Sequence, residues 1–449
     1  MSTPPAPPTS PPPGPPSWGT TVPGNAWDAA PAPDPAADPA ADPAAEHRPV
    51  TVVVTHFEQP AELARTLAAL ARQTLAPHQV VVADDGSATA PVVPPGVELV
   101  RQEDRGFRAA AARNLGAARA TGDVLVFLDA DTSPEPDFLA RLTRLPSALP
   151  ELLAVGRRRH ADLTGVPPDA PLPAAAAGRE LAEPAWLRDA YRRSDDLRAA
   201  DATSFRFVIS AVLACSRWWF ERLGGFDETF GGYGGEDWEL AHRSWLAGGL
   251  VAHVPGAVAW HDGPDAGVAP RAVDDGLAEA VAVADRVAVP GVAWRGLLRG
   301  PVDVVASVPA DLGGTALLAT VDGLLAALPT VRVLVAPDQH RVLGDDPRLV
   351  PHDAGADLLE RARLHLELHR GLRGDAAAYR ELLAPLAGPS ETGTFVLGDG
   401  LVAVHDLRLH RRAARWGRPD LAPIVALDVP GLDAVPADGE LRAYLGQWW

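Results

Sequence analysis

The sequence contains no lysine, so all 40 basic side chains are arginine. It has a single cysteine, Cys215, which excludes an internal disulfide. The apolar setting Val212-Leu213-Ala214-Cys215 reads as a buried small side chain rather than a nucleophile. No apolar run approaches the roughly 18 residues that a membrane-spanning helix needs. The N-terminus also lacks the basic-then-apolar pattern of a secretory signal. The expected location is therefore cytoplasmic, with peripheral attachment at the inner face of a membrane as the variant. Positive charge is in short supply, and the formal net charge is -18. Such a surface repels nucleic acid and anionic lipid, so no nucleic-acid partner is expected.

What is present is enough chain for two domains: 449 residues, 47% hydrophobic and 22% charged. The 46 prolines are densest at the start, among repeats such as Asp34-Pro35-Ala36-Ala37-Asp38-Pro39. A segment of that composition buries too little apolar surface to offset chain entropy, and residues 1–47 read as a disordered tail.

From residue 48 the pattern is α/β, with a mostly parallel sheet and flanking helices. Val50–Thr55 reads as a strand buried on both faces, Pro60 opens a helix carrying Leu63, Leu67 and Leu70, and a second strand, Val80–Ala83, ends at Asp84-Asp85-Gly86-Ser87. A helix over Ala109–Ala120 and a strand over Val124–Leu128 repeat the unit, which ends at Asp129-Ala130-Asp131. Residues 146–202 read as an irregular surface excursion, followed by a strand over Phe205–Ala214 and a glycine-dense passage from Gly224 to Trp238. The first domain is expected to span 48–285. A smaller C-terminal α/β domain is expected over 300–449, with a strand over Val302–Val308, a helix through Leu328 and a strand over Val331–Ala336.

In open α/β sheets, ligands gather at the carboxyl ends of the strands, where both acidic clusters fall. Asp129 and Asp131 can approach one hard cation, Mg²⁺ or Mn²⁺. They can equally cap the turn Thr132-Ser133-Pro134, and Asp84-Asp85-Gly86 can be a plain Asp-Gly turn. Two such clusters at neighbouring strand ends favour a site. Trp238 and Trp260 offer flat faces suited to a sugar ring, with core packing as the alternative.

The stretch from Val50 to Ser133 resembles the donor-binding half of the family 2 glycosyltransferases, which have the GT-A fold. The matching parts occur in order: the strand into Thr55, Asp84-Asp85-Gly86-Ser87, Ala112-Arg113-Asn114-Leu115-Gly116, Thr121-Gly122-Asp123 and Asp129-Ala130-Asp131. The resemblance implies that Thr55, Asp84 and Asp85 border a nucleoside base, that Asp129 faces the ribose and diphosphate, and that Arg113 approaches the diphosphate. Asp131 would bind the metal, with Asp129 beside it.

Gly224-Gly225-Phe226-Asp227-Glu228 followed by Gly234-Gly235-Glu236-Asp237 is similar to the acceptor segment of the β-1,4-galactosyltransferase group. That similarity makes Asp237 the catalytic base and Glu236 the residue that orients the acceptor, and His261 in Ala259-Trp260-His261-Asp262 the completing metal ligand, with His242 and His253 as competitors. Tyr233 and Trp238 depart from the group's pattern, which puts the acceptor in doubt more than the chemistry.

The expected activity is thus an inverting, metal-dependent transfer from a nucleotide-sugar, a UDP-sugar, to a carbohydrate or glycoconjugate acceptor, with Mn²⁺ or Mg²⁺ as cofactor. A catalytically silent binding or scaffold protein of the same fold and a sugar-phosphate nucleotidyltransferase stand as alternatives. In the C-terminal domain, Val331–Asp338 echoes the strand into Asp84, and Phe395–Gly400 echoes the strand into Asp129 with Gly398 and Gly400 in place of the two aspartates. A degenerate copy of the first fold is expected.

Overall fold

Val50-Thr51-Val52-Val53-Val54 is β-branched at every position, and this run lies at the centre of a nine-stranded sheet with its valines sealed from solvent on both faces. The structure is a computed structural model and describes residues 14–30, 47–232, 234–265, 273–398, 400–436 and 440–445. The first sheet comprises β1 (Val50–His56), β2 (Gln79–Asp84), β3 (Glu98–Arg101), β4 (Val124–Asp129), β5 (Thr132–Pro134), β6 (Leu152–Ala161), β7 (Glu180–Leu181), β8 (Val212–Ser216) and β9 (Leu250–Asp262). Their order is β3-β2-β1-β4-β8-β6-β9-β5, with β7 on β6. The first four are mutually parallel, β8 runs antiparallel to both β4 and β6, and β9 returns parallel to β6.

Helix Pro60–Leu70 packs on β5, and helix Ala109–Ala117 covers β1, β2 and β3. Gly116 permits the second of these to lie directly on β1, because a Cβ there would stand 2.4 Å from Val53 Cγ1. No helix among the described residues is long and apolar enough to cross a membrane.

Two first-domain readings need correction. Residues 146–202 are not an irregular excursion: they contain β6, which joins β8 to β9, and the helix Ala185–Arg193. Arg157-Arg158-Arg159 hid the strand, because this end of β6 lies beside cavities and carries ion-paired side chains where a core strand would carry apolar ones. The strand placed at Phe205 starts only at Val212, since Ser204–Phe207 forms a 3₁₀ turn.

The remaining strands are β10 (Val304–Ser307), β11 (Arg332–Val335), β12 (Leu349–Pro351), β13 (Leu364–Leu368), β14 (Leu372–Arg373), β15 (Thr394–Leu397), β16 (Val402–Asp406), β17 (Ile424–Leu427) and β18 (Asp433–Ala434). Seven of them form a second sheet of order β12-β11-β10-β13-β16-β15-β17. Strand for strand, this repeats the order and directions of β3-β2-β1-β4-β8-β6-β9. The repeat corrects the matching of Phe395–Gly400 to the strand into Asp129. β15 occupies the place of β6, and the strand in the place of β4 is β13. Thr55 pairs with Asp129 and Ser307 with Glu367, so Glu367 and His369, not Gly398 and Gly400, stand in the positions of the two aspartates. A short apolar strand before a glycine turn reads the same in either place, so only the pairing distinguishes them.

The tail also needs correction. Residues 1–13 and 31–46 lie outside the described residues, but 14–30 are placed, with Thr21, Val22, Gly24 and Asn25 buried. Asn25 is buried, donates to the carbonyls of Leu197 (2.7 Å) and Val251 (2.9 Å), and accepts from Val251 N–H (2.9 Å). From the other side, the helix Leu407–Trp416 sends in Arg412, which is fully buried and donates to the carbonyls of Val22, Gly24, Gly248 and Gly249. Overall composition misses such a segment because a few anchors hold it in place, polar at Asn25 and apolar at Val22 and Trp27.

Asn25→Ala strands one buried N–H and two carbonyls, and an unpaired buried group costs about 1–3 kcal/mol. Thermal unfolding of this variant should show a midpoint several degrees lower, whereas alanine at the exposed Ser17 leaves it unchanged.

Candidate active site

The carboxyl ends of β1, β2 and β4 deliver Thr55, Asp85 and Asp129 to one wall of a cavity of about 1090 Å³. Thr55 is registered against Asp129, and its buried Oγ1 has no hydrogen-bond partner. Asp85 is buried, accepts from Arg108 N–H (2.8 Å) and from the Gln102 amide, and lines the cavity.

Asp84 does not line it. This carboxylate is fully buried and saturated by His56 Nδ1 (2.8 Å), Ser87 N–H (3.1 Å), Ser87 Oγ (2.5 Å) and Arg101 Nε (2.8 Å). Burial alone would raise its pKa, but the hydrogen bonds from Ser87, Arg101 and His56 outweigh that and hold it below the usual carboxylate range. Asp84 builds the loop and is removed from the donor-contacting set.

The turn after β4 enters β5, and the pairing of Thr132 with His261 on β9 sets the histidine beside Asp131. His261 Nε2 lies 3.6 Å from Asp131 Oδ2, which also accepts from Gln59 Nε2 (3.0 Å). Burial raises the Asp131 carboxyl above its ordinary range; His261 opposes this and Asp129 adds to it. A carboxylate and an imidazole with nearby charge to neutralise fit a divalent cation that borrows its remaining ligands from a bound substrate. The three-residue set expected from the sequence does not assemble. Asp129 Oδ1 is taken by Arg113 (2.8 Å), and among the described residues no three His, Cys, Asp or Glu side chains converge to hold a metal unaided.

Across the cavity, the helix Glu236–Leu246 begins after Gly234 and Gly235, whose φ angles of 92° and 94° suit glycine. At Gly235 a Cβ would meet the Phe230 ring at 2.8 Å and Val283 at 2.9 Å, so the tight entry fixes where Glu236 and Asp237 stand. Tyr233 lies outside the described residues. Asp237 lines the cavity and accepts from the backbone N–H of Ser210 (3.3 Å) and Trp238 (2.8 Å). Burial, then the neighbouring Glu236 charge, push its pKa up to about 7, while Arg113 pulls it down.

Arg113 joins the two walls. Its guanidinium donates to Asp129 Oδ1 and to Glu236 Oε1, each at 2.8 Å, and lies over the Phe226 ring. Burial opposes its charge, yet Asp129 and Glu236 more than offset that and keep it protonated.

Trp238 lines the cavity, but Trp260 does not. Trp260 is buried, with Nε1 donating to Glu135 (2.8 Å) and its face covered by Arg159 at 4.0 Å, so it packs the fold rather than a ligand. His242 and His253 also lie off this cavity. Its lining adds Gln59, Arg158, Trp186, Ser210 and Asp265, which the sequence did not single out. Trp186, 49% exposed on a helix of polar character, carried the only visible signal.

Arg113→Ala leaves Asp129 and Glu236 without their shared partner, and breaking a buried pair costs about 3–5 kcal/mol. Urea unfolding should show the loss, and the exposed Arg105–Glu103 pair provides the contrast, since Arg105→Ala changes little.

Residues 51–206 match the model described as glycosyl transferase family 2, and residues 202–260 match that described as the N-terminal domain of galactosyltransferase. The hyaluronan synthase of Pasteurella multocida is 31% identical over 243 residues, which cover 49% of this chain and 25% of that protein. The validoxylamine A glucosyltransferase of Streptomyces hygroscopicus subsp. limoneus is 34% identical over 219 residues, 43% of this chain and 47% of that one. The chain thus spans half or less of the length of these curated relatives. Among solved structures, the mannosyltransferase PcManGT of Pyrobaculum calidifontis, in complex with GDP-Man and Mn²⁺, aligns at 22% identity and a TM-score of 0.37 over 54% of this chain and 63% of that one. Residues 51–206 thus resemble the family 2 glycosyltransferases, and that match runs directly into a galactosyltransferase-type segment over residues 202–260.

Proposed function

We propose that the domain over residues 48–285 transfers a sugar from a nucleotide diphosphate, a UDP-sugar, to a hydroxyl of a carbohydrate or glycoconjugate, with inversion at the anomeric carbon. The observation that carries this reading is the meeting of Asp131 and His261 with Asp237 around one cavity, although they come from opposite halves of the domain's sequence. The unpartnered Thr55 hydroxyl and Asp85 border the nucleoside base, and Asp129, fixed by Arg113, faces the ribose and diphosphate.

Asp131 and His261 would hold a divalent cation, and their mixed oxygen and nitrogen donors favour Mn²⁺ over Mg²⁺. When bound, that cation neutralises the charge of the leaving diphosphate. Asp237 takes the proton from the acceptor hydroxyl, which attacks the anomeric carbon on the face opposite the leaving group. One displacement inverts the configuration. A base with a pKa of about 7 is matched to this task, because it is free to accept a proton at neutral pH and strong enough to do so. Glu236 and Trp238 set the acceptor's approach. Relatives whose names specify synthesis of hyaluronan or glucosyl transfer support sugar transfer as the reaction class.

Asp237→Asn should lower transfer by about 10²–10⁴-fold while metal-dependent protection by UDP against thermal unfolding persists; full turnover in this variant refutes the base. Because the carboxylate form is the active one and its pKa is raised, transfer should fall as pH drops below about 7 and level off above it. Chelation of divalent cations should abolish both UDP protection and transfer, and restoration by Mn²⁺ at lower concentration than Mg²⁺ checks the metal preference.

A further inference from the structure

A second cavity of about 250 Å³ lies against the first, and Arg158 lines both. Arg158 Nη2 pairs with Asp265 Oδ1 at 2.8 Å, so an ion pair stands at the shared wall. The helix Ala185–Arg193 serves both spaces: Trp186 faces the main cavity, while Leu187, Arg188, Tyr191 and Arg192 line the smaller one.

The charges of the smaller cavity do not cancel. Arg157 is committed to Glu183 through two hydrogen bonds, at 3.1 and 2.7 Å. Asp196 is committed to His253 Nδ1 at 2.7 Å. Arg192 has only an exposed contact with Asp189, at 3.5 Å, which is worth little. The Arg188 guanidinium has no ion pair or hydrogen bond among the described residues. Four residues apart on one helix, Arg188 and Arg192 project from the same face, leaving two guanidinium groups for an incoming oxyanion. Leu187, Pro184 and Pro255 supply apolar lining beside them. His253, held flat against Tyr191 at 3.6 Å between ring centres, keeps a buried Nε2 without a partner.

We propose that this side cavity is an acceptor subsite for a saccharide unit bearing an anionic group, the neighbour of the unit that receives the transferred sugar. The proposal rests on the transferase reading of the main cavity and adds the substrate class: an acidic acceptor of at least two sugar units. Arg188 and Arg192 grip the oxyanion, and the apolar lining takes the ring. The pair Arg158–Asp265 marks the boundary that the glycosidic linkage crosses.

The test is calorimetric titration of the full chain with a disaccharide carrying one glucuronate unit, with the counterpart carrying glucose there, and with the 6-sulfate of that counterpart. The expected result is at least tenfold tighter binding of an anionic disaccharide than of the neutral one, the carboxylate and sulfate arms identifying which anion fits. Arg188→Gln combined with Arg192→Gln should bring the affinities together, and Arg193→Gln, outside the cavity, should keep them apart. Equal affinities in the natural protein, a preference that survives the double substitution, or a like loss in Arg193→Gln would each overturn the subsite. UDP protection of the same protein against unfolding reports separately on the main cavity, so its absence beside an intact anionic preference defeats the transferase reading and leaves the side cavity standing.

Discussion

One buried guanidinium holds the site together. Arg113 stands on the helix Ala109–Ala117 and contacts Asp129 and Glu236 at once, the latter 123 residues away in sequence. Its neighbour Asn114 secures the same loop, exchanging hydrogen bonds with the backbone of Phe226 at 2.9 Å in both directions. The helix can do this because Gly116 lets it sit close on β1. The two walls of the cavity are therefore tied into one unit, referenced to the central strand. The same guanidinium also bears on the proton affinity opposite: burial and then Glu236 raise the Asp237 carboxyl, and Arg113 lowers it, which leaves it at about 7.

Much of this was readable from residue order alone, because the relevant signals are local. A β-branched run followed by paired acids at a strand end needs no tertiary knowledge, and Asp85 and Asp131 emerge on that basis, whereas Asp237 and His261 are reached only through the likeness of their segment to a galactosyltransferase acceptor region. Asp84 and Trp260 failed for a shared reason. Each sits next to a cavity residue, and along a strand or tight turn adjacent side chains point to opposite sides, so one faces the ligand space while the other is saturated inside. Arg113 was assigned to a substrate phosphate, although its partners are two protein carboxylates distant in sequence. No local pattern announces such a pairing.

The two sheets repeat one another in order and direction, yet their strand ends carry different side chains. The first sheet places Asp129 and Asp131 at the end of β4 above a large cavity, whereas the second places Glu367 and His369 at the end of β13, with Glu367 facing His405 at 3.1 Å. Topology explains why a family resemblance extends to the strands. The side chains at the strand ends are what differ.

The contact of Arg412 with the N-terminal segment is made wholly to backbone carbonyls. A clasp of this kind is blind to which side chains the segment bears and sensitive to how many residues it has. An exposed residue such as Pro23 can change its side chain without disturbing those carbonyls, whereas a single inserted or deleted residue displaces them from the guanidinium. The part of the chain that looks least informative by composition is then held by the count of its residues more than by their kind.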